Sequence, residues 1–226
     1  MKLNPEDQFI PTAASLGAVL ANYDLKLQDF TLATSGIENC TVFVKSAEDS
    51  YVVRVYRHDK KSKAEIEQEI AFVDYLHSNG VPVVAPLRNN KRSPITEVQL
   101  DGRIWQAIVM PKMPGEHPDS YTKHSIKSLA VVHAKMHKLA EAYDASSAIG
   151  SRLQELRETW FISLIADRKA LNATEEAFVN RADAFVYKLD LALPSGLCHL
   201  DYDNGNVLMV DEVVTAVLDF DDLAYT

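Results

Sequence analysis

The chain has 226 residues, of which 47% are hydrophobic and 24% charged, a balance that supplies a sizeable core and argues against disorder. Its formal net charge of −9 argues against a nucleic-acid binder and favours cationic or neutral partners over anionic ones. The opening MKLNPEDQF lacks a signal-peptide core, no apolar run reaches about 18 residues, and Cys40 and Cys198 make neither a disulfide framework nor a zinc motif, so the expected setting is a reducing cytoplasm with no membrane partner.

Ala13 to Tyr23 is a short apolar segment that predicts a helix before a sheet. Cys40 to Lys45 (CTVFVK) and Tyr51 to Arg57 (YVVRVYR) are β-rich runs joined by the polar turn SAEDS, and they predict a hairpin. In front of it, Thr34-Ser35-Gly36-Ile37-Glu38-Asn39 is either an ordinary turn or, through Ser35 and Gly36, a loop that brings backbone N–H groups against phosphate. Alternation along the second run puts Val52, Arg54 and Tyr56 on one face. A cation mid-strand among apolar neighbours needs a partner, unless its long stem carries it to solvent. From Ser62 to His77, Ile66, Ile70, Val73 and Leu76 form a helical stripe. At about 100° per residue Glu69 falls inside that stripe, whereas Glu67 points away. The carboxylate of Glu69 is therefore the partner expected for Arg54.

Ser78-Asn79-Gly80 stops this helix, Val81 to Pro86 reads as extended, and Arg88 to Arg92 as a solvated basic tip. Ile95 to Leu100 and Arg103 to Met110 flank Asp101-Gly102, a hairpin signal. Pro111-Lys112-Met113-Pro114-Gly115 then breaks the β pattern. Beyond it the chain turns helical. Ser125 to Tyr143 places Ile126, Leu129, Ala130, His133, Met136, His137 and Ala140 on one face. His133 and His137 have a spacing that suits zinc, but Ala134 replaces the glutamate of the zinc-protease pattern, and the pair reads as core histidines. Leu153 to Leu171 and Thr174 to Leu191 are two further helical patterns, the second with Thr174 as its N-cap.

The last stretch, Leu197 to Asp222, runs LCHLDYDNGNVLMVDEVVTAVLDFDD. Val207 to Val210 and Val213 to Leu218 predict two strands joined at Asp211-Glu212. Unbroken antiparallel pairing from Val210 opposite Val213 sets Asn206 opposite Val217 and Asn204 opposite Asp219. Asn206 and Asp219 then meet at the open end of the hairpin, with His199, Asp201 and Asp203 in the loop before it. An amide and carboxylates at one spot suit a hard cation such as Mg²⁺, which shares its oxygen ligands with substrate phosphates; the alternative is an acidic, solvated turn. The order His-x-Asp-x-x-x-x-Asn, hairpin, Asp-Phe-Asp has the layout of a kinase catalytic loop and metal-binding segment.

On CHLDYDNGN, VLDFDD, YVVRVYR and QEIAFVDYLHSNGVPV, the chain resembles the aminoglycoside phosphotransferase and choline kinase superfamily, with Leu200 where eukaryotic protein kinases carry Arg. The resemblance covers about Leu32 to Thr226 and implies an α+β, bilobal, protein-kinase-like fold. Its lobes would be a β-rich nucleotide-binding part over 1–110, a hinge over 111–115 and a mainly helical catalytic part over 116–226. The implied activity is transfer of the γ-phosphate of ATP or GTP to a hydroxyl of a small molecule such as an aminoglycoside, homoserine, choline or a sugar. In that scheme Asp201 orients the acceptor hydroxyl and takes its proton, and His199 supports the loop. Asn206 and Asp219 hold Mg²⁺, Arg54 meets the phosphates with Glu69 fixing it, Ser35 and Gly36 lie along the phosphates, and the backbone at Met110, Lys112 and Met113 meets the base. Asp203, Asp221 and Asp222 are second-tier candidates. Arg54 stands where protein kinases use Lys; it keeps the charge and adds bidentate capacity. Family members continue for several helices past the Asp-Phe-Asp segment, so the resemblance implies that this chain, ending at Thr226, lacks helices that support the loop and complete the acceptor site. Two other readings stay open. One is a bacterial stress-response-type protein Ser/Thr kinase, to which VVRVYRHDKKS and VPVVAP are also similar; the other is a non-catalytic nucleotide-binding or scaffold protein.

Overall fold

The structure is a computed structural model that describes residues 9–33, 39–47, 49–58, 60–100, 102–144, 171–186 and 196–225. The loop residues Ser35 and Gly36 and the helical pattern from Leu153 lie outside the described residues. Two compact units divide the chain: Met1–Met136 with Asp201–Asp221, and His137–Leu200 with Asp222–Thr226.

The first unit is built on a five-stranded antiparallel sheet of order β1-β2-β3-β5-β4. Its strands are β1 (Asp29–Leu32), β2 (Cys40–Ser46), β3 (Asp49–Val55), β4 (Thr96–Leu100) and β5 (Arg103–Pro111). The two hairpins read from the sequence are present, β2 with β3 and β4 with β5. Strand β1 was not foreseen. It is an edge strand with a single partner; its residues DFTL stay largely exposed, and their polar–apolar alternation runs over only four positions, too few to mark a strand.

Each face of the sheet takes one helix. On one side Val42, Val44, Val53, Val55, Trp105 and Val109 pack with Leu16, Val19 and Leu20 of α1 (Ala13–Leu20). On the other, Tyr56 and Ile108 pack with Ile66 and Ile70 of α2 (Lys63–Ser78). Both helices start on reciprocal caps that satisfy orphan N–H groups: Thr12 Oγ1 accepts from Ser15 N while Ser15 Oγ accepts from Thr12 N, and Glu65 Oε2 accepts from Ser62 N at 2.7 Å. Arg54 alternates with Val53 and Val55, so it faces α2.

The unit closes with a third hairpin, β7 (Val207–Val210) and β8 (Val213–Val217). Asp211 and Glu212 at its tip have φ of 48° and 64°, the left-handed pair that matches the twist of a two-residue turn. Unbroken pairing does not persist. Met209 pairs Val214 but Leu208 pairs Ala216, so Thr215 is an extra residue and everything beyond it moves by one. Asn206 therefore sits across from Leu218, whose N–H donates to Asn206 O at 2.8 Å, rather than across from Val217. The bulge has a reason: Thr215 Oγ1 donates to Pro114 O at 2.8 Å and lies 3.2 Å from Leu208 O, fastening the hairpin to the connector.

Gly115 makes that fastening possible. Its φ is +118°, and a Cβ there would lie 2.8 Å from Thr215 Oγ1 and 2.9 Å from Met209 O. Gly115→Ala is expected to cost roughly 2–4 kcal/mol through backbone strain and overpacking. A lowered urea midpoint at unchanged m-value would register it.

Helix α3 (Lys123–Ala142) buries Met136 and Ala140 of the predicted apolar stripe but not the whole of it. Ser125, Met136 and Ala140 are buried, while Ile126 is 54% exposed and His137 is exposed, so His133 and His137 are not a core pair. The buried serine is satisfied locally, donating to Thr122 O at 3.1 Å and accepting from Thr122 N at 2.8 Å. Ser128 Oγ accepts from Val214 N at 3.0 Å. The Ser128 hydroxyl thus ties this helix to the β7–β8 hairpin.

In the second unit, α4 (Ala173–Val186) is capped by Asn172 rather than Thr174: Asn172 Oδ1 accepts from Thr174 N at 3.0 Å and Glu175 N at 3.1 Å. Two short strands, β6 (Leu197–Cys198) and β9 (Ala224–Tyr225), pair there. No described helix is long and apolar enough to cross a membrane.

Candidate active site

The loop between β6 and β7 is held in shape by its own side chains. Asp203 caps a 3-10 turn over Asn204–Asn206, accepting from Gly205 N at 2.7 Å, which directs its carboxylate to the backbone. Asn206 Nδ2 donates to Asp201 O at 2.8 Å and to Asp201 Oδ2 at 2.7 Å, so the amide and the exposed carboxylate are braced together. Tyr202 anchors the loop to α3, its hydroxyl donating to Leu129 O at 3.2 Å and its ring stacked on His133 with centroids 4.7 Å apart. Burial, with a smaller push from Tyr121, raises the Tyr202 hydroxyl to about 12, which keeps it a donor at neutral pH. His199 is buried and belongs to the second unit, as does Asp222.

Directly after β8, Asp219 adopts φ 59°, a conformation Asp tolerates better than most residues. Phe220 turns inward, its ring edge-on to Phe72 of α2 with centroids 6.5 Å apart. The two flanking carboxylates therefore face the sheet. Arg54 Nη2 donates to Asp219 Oδ1 at 2.7 Å and to Asp221 Oδ2 at 2.6 Å. Burial works against the charge of Arg54, but Asp221 and then Asp219 outweigh it and hold its pKa above the ordinary value. The guanidinium also lies 5.7 Å from the centre of the Tyr56 ring. Its Nε is buried and meets no hydrogen-bond acceptor among the described residues.

Glu69 is buried on α2, as its place in the helical stripe predicts, but it does not pair with Arg54. Lys61 Nζ donates to Glu69 Oε2 at 2.5 Å and the Tyr56 hydroxyl to Glu69 Oε1 at 3.1 Å. The reason is that Asp219 and Asp221 take Nη2 of Arg54, while Lys61, just before the α2 cap, reaches the helix carboxylate instead. Asp221 is more than an outlying candidate. It accepts from Arg54, from Lys61 Nζ at 3.3 Å and from Asn39 Nδ2, and its side chain is 9% exposed against 43% for Asp219. Burial, assisted by Glu69 and Asp219 against the opposing pull of Arg54 and Lys61, raises its carboxyl to about 6.

Lys61, Asn39 and Tyr56 escaped the sequence reading. Tyr56 shares the strand face of Arg54, a usable signal; Lys61 and Asn39 sit in connectors, where no periodicity marks a side chain. Along the connector after β5, Lys112 and Met113 line an open groove of about 570 Å³ with Asp49, Ser50 and Tyr51. Met110 is not part of that lining: it pairs with Val52 and packs against the α2-facing cluster. Lys112 Nζ lies 5.2 Å from the centre of the Phe43 ring.

For a divalent cation, the donor chemistry is oxygen from one amide and one carboxylate, the set that hard cations take. Asn206 gives Nδ2 to Asp201, which leaves Oδ1 directed away from it and without a hydrogen-bond donor among the described residues. No three His, Cys, Asp or Glu side chains among the described residues gather as a metal site. Two protein oxygens fit a cation that completes its shell with phosphate and water, as Mg²⁺ does, and not one held by a closed protein cage.

An antiparallel sheet with a helix on the Arg54 face, followed by helices and a carboxylate-bearing hairpin, is the α+β arrangement of protein-kinase-like proteins. The solved amicoumacin kinase hAmiN, in complex with AMP-PNP, Ca²⁺ and Ami, superposes with a TM-score of 0.73 at 18% identity, over 93% of this chain and 64% of that one. The model of the phosphotransferase enzyme family matches residues 29–226, and the chain belongs to that family. An uncharacterised protein of Deinococcus radiodurans is 28% identical over 221 residues, and a homoserine kinase of Acidiphilium cryptum 24% identical over 221 residues. These alignments take in 93% and 92% of this chain but only 62% and 64% of the two relatives.

Proposed function

We propose that the protein transfers the γ-phosphate of ATP or GTP to a hydroxyl of a small, aminated alcohol of the homoserine, choline or aminoglycoside kind, with sugars as the outlying class. The observation that carries this is the Arg54 guanidinium, buried beside two carboxylates with Nε still lacking an acceptor. A buried N–H without a partner costs free energy, and a phosphate oxygen supplies the missing acceptor in the geometry guanidinium suits best.

Each residue then has a defined task. Arg54 binds the donor phosphates. Asp201, exposed and braced by Asn206, orients the acceptor hydroxyl and accepts its proton as the O–P bond forms. Asn206 Oδ1 and the Asp219 carboxylate are the ligands for Mg²⁺, which supplies charge neutralisation on the phosphate oxygens when bound. Asp203 and Tyr202 keep the loop in register. The Met110–Met113 backbone meets the base, within a division into lobes at 110 and 116. An aminated acceptor is favoured by the acidic balance of the chain and by a relative that is a homoserine kinase.

The test is ADP or GDP release with Mg-ATP or Mg-GTP and a panel of homoserine, choline, aminoglycosides and sugars. The expected result is release that depends on one aminated acceptor, with a phosphate ester in the product. Nucleotide binding with no acceptor-dependent release, or phosphate transferred to protein hydroxyls, would overturn it.

A further inference from the structure

Around Arg54 and Glu69 the structure holds three carboxylates and two cations, and the way they are shared is informative. Asp219 and Asp221 take Nη2 of Arg54. Glu69, 5% exposed, makes no ion pair with Arg54 and acts on it only at longer range; its direct partners are Lys61 Nζ at 2.5 Å and the Tyr56 hydroxyl at 3.1 Å. Lys61 also lies 3.3 Å from Asp221 Oδ1. One ammonium thus joins α2 to the segment after β8. Asn39 adds a further strap, with Nδ2 on Asp221 and Oδ1 accepting from Arg57 N at 3.0 Å.

A lysine whose only task was solubility would point to water. Lys61 is 21% exposed and spends its charge on two buried carboxylates. Were it absent, Glu69 would be a buried anion without a cation, and Arg54 would be drawn toward it and away from its present partners. Because Lys61 satisfies Glu69, Arg54 keeps Nε unused.

We propose that Lys61 is a positioning residue for nucleotide phosphates: by bridging Glu69 to Asp221 it holds α2 and the Asp219–Asp221 segment together and reserves Arg54 for the ligand. The inference rests on the reading of Arg54 as the phosphate-binding cation. The work of one strand–helix ion pair is divided here between two cations, Arg54 on the strand and Lys61 on the connector.

The test measures the dissociation constant of Mg-ATP and the steady-state KM and kcat for the unmodified protein, Lys61→Met, Lys61→Arg and Lys61→Met combined with Glu69→Gln. Lys61→Met is expected to weaken nucleotide binding and raise its KM by about 10- to 100-fold, the usual scale for losing a partner that orients a ligand-binding group, with a smaller change in kcat. Lys61→Arg restores most of the affinity. The added Glu69→Gln recovers part of it too, because it removes the buried charge that competes for Arg54. A merely structural lysine would lower the melting temperature and the active fraction without moving KM. If Lys61→Met does not fold, Lys61→Gln, which keeps a donor without the charge, takes its place with the same expectation. Binding by the unmodified protein together with unchanged binding by the methionine or glutamine variant overturns the inference alone. No Mg-ATP binding by the unmodified protein overturns the phosphate-site reading and this inference with it.

Discussion

Asp201→Ala is expected to lower kcat by about 10²- to 10⁴-fold, the usual contribution of a positioned proton acceptor, while Mg-nucleotide binding stays close to that of the unmodified protein. The separation follows from where the residue stands. Its carboxylate is exposed at the loop surface and held by Asn206 Nδ2 at 2.7 Å, whereas the Arg54 guanidinium is held by Asp219 and Asp221. Loss of the side chain leaves the backbone bond from Asn206 Nδ2 to Asp201 O at 2.8 Å, so the amide keeps one tether and the loop its turn. In the proposed mechanism the transition state of phosphoryl transfer is loose, so the acid at 201 would act through orientation of the hydroxyl more than through basicity. Asp201→Asn, which keeps the shape but cannot take a proton, is therefore expected to retain more turnover than the alanine variant and to stay near the unmodified protein in acceptor affinity. Turnover retained by Asp201→Ala would remove the residue from the mechanism.

Much of the first unit was legible because its signals are periodic. Alternation placed Arg54 on one strand face, and a helical wheel put Glu69 inside an apolar stripe where burial is indeed found. Turn chemistry marked the β4–β5 and β7–β8 hairpins. The partner of Glu69 was not legible, since choosing between Arg54 and Lys61 depends on where Asp219 and Asp221 arrive from more than 150 residues away, as their contacts with Arg54 show. The one-residue shift at Thr215 was hidden for a similar reason: the bulge answers to Pro114 O in the connector, not to anything within the hairpin. Strand β1 and the β6–β9 pair went unseen because short strands with a single partner carry too few residues to show a period. On α3, hydrophobicity pointed to Ile126, which is exposed, whereas the buried Ser125 is satisfied within its own turn and Ser128 hydrogen-bonds the β7–β8 hairpin, neither of which an apolar stripe marks.

Asp219→Asn and Asp221→Asn should fail in opposite ways, although the residues are two apart and touch the same guanidinium nitrogen. Asp221 is committed to protein: three donors from three segments converge on a side chain that is 9% exposed. Removing its charge leaves Lys61 and Arg54 short of a buried partner, a loss of roughly 3–5 kcal/mol in unfolding free energy. Asp219 is 43% exposed, and Arg54 retains Asp221 when the charge at 219 is lost, so stability changes little. Asparagine also tolerates the φ of 59° at this position, which alanine does not. What Asp219→Asn removes is the carboxylate proposed, with Asn206 Oδ1, as a cation ligand. Unmodified protein is expected to gain about 2.7 kcal/mol of stability from Mg-nucleotide at 100 times its dissociation constant, and the variant to lose the Mg²⁺-dependent part of that gain. Turnover falls with it by at least about 10²-fold, on the scale of lost charge stabilisation in a transition state. Thermal melts with nucleotide alone, Mg²⁺ alone and both together separate the two variants. A Mg²⁺-dependent shift that persists in Asp219→Asn but vanishes in a folded Asp221→Asn would transfer the metal-ligand role from 219 to 221.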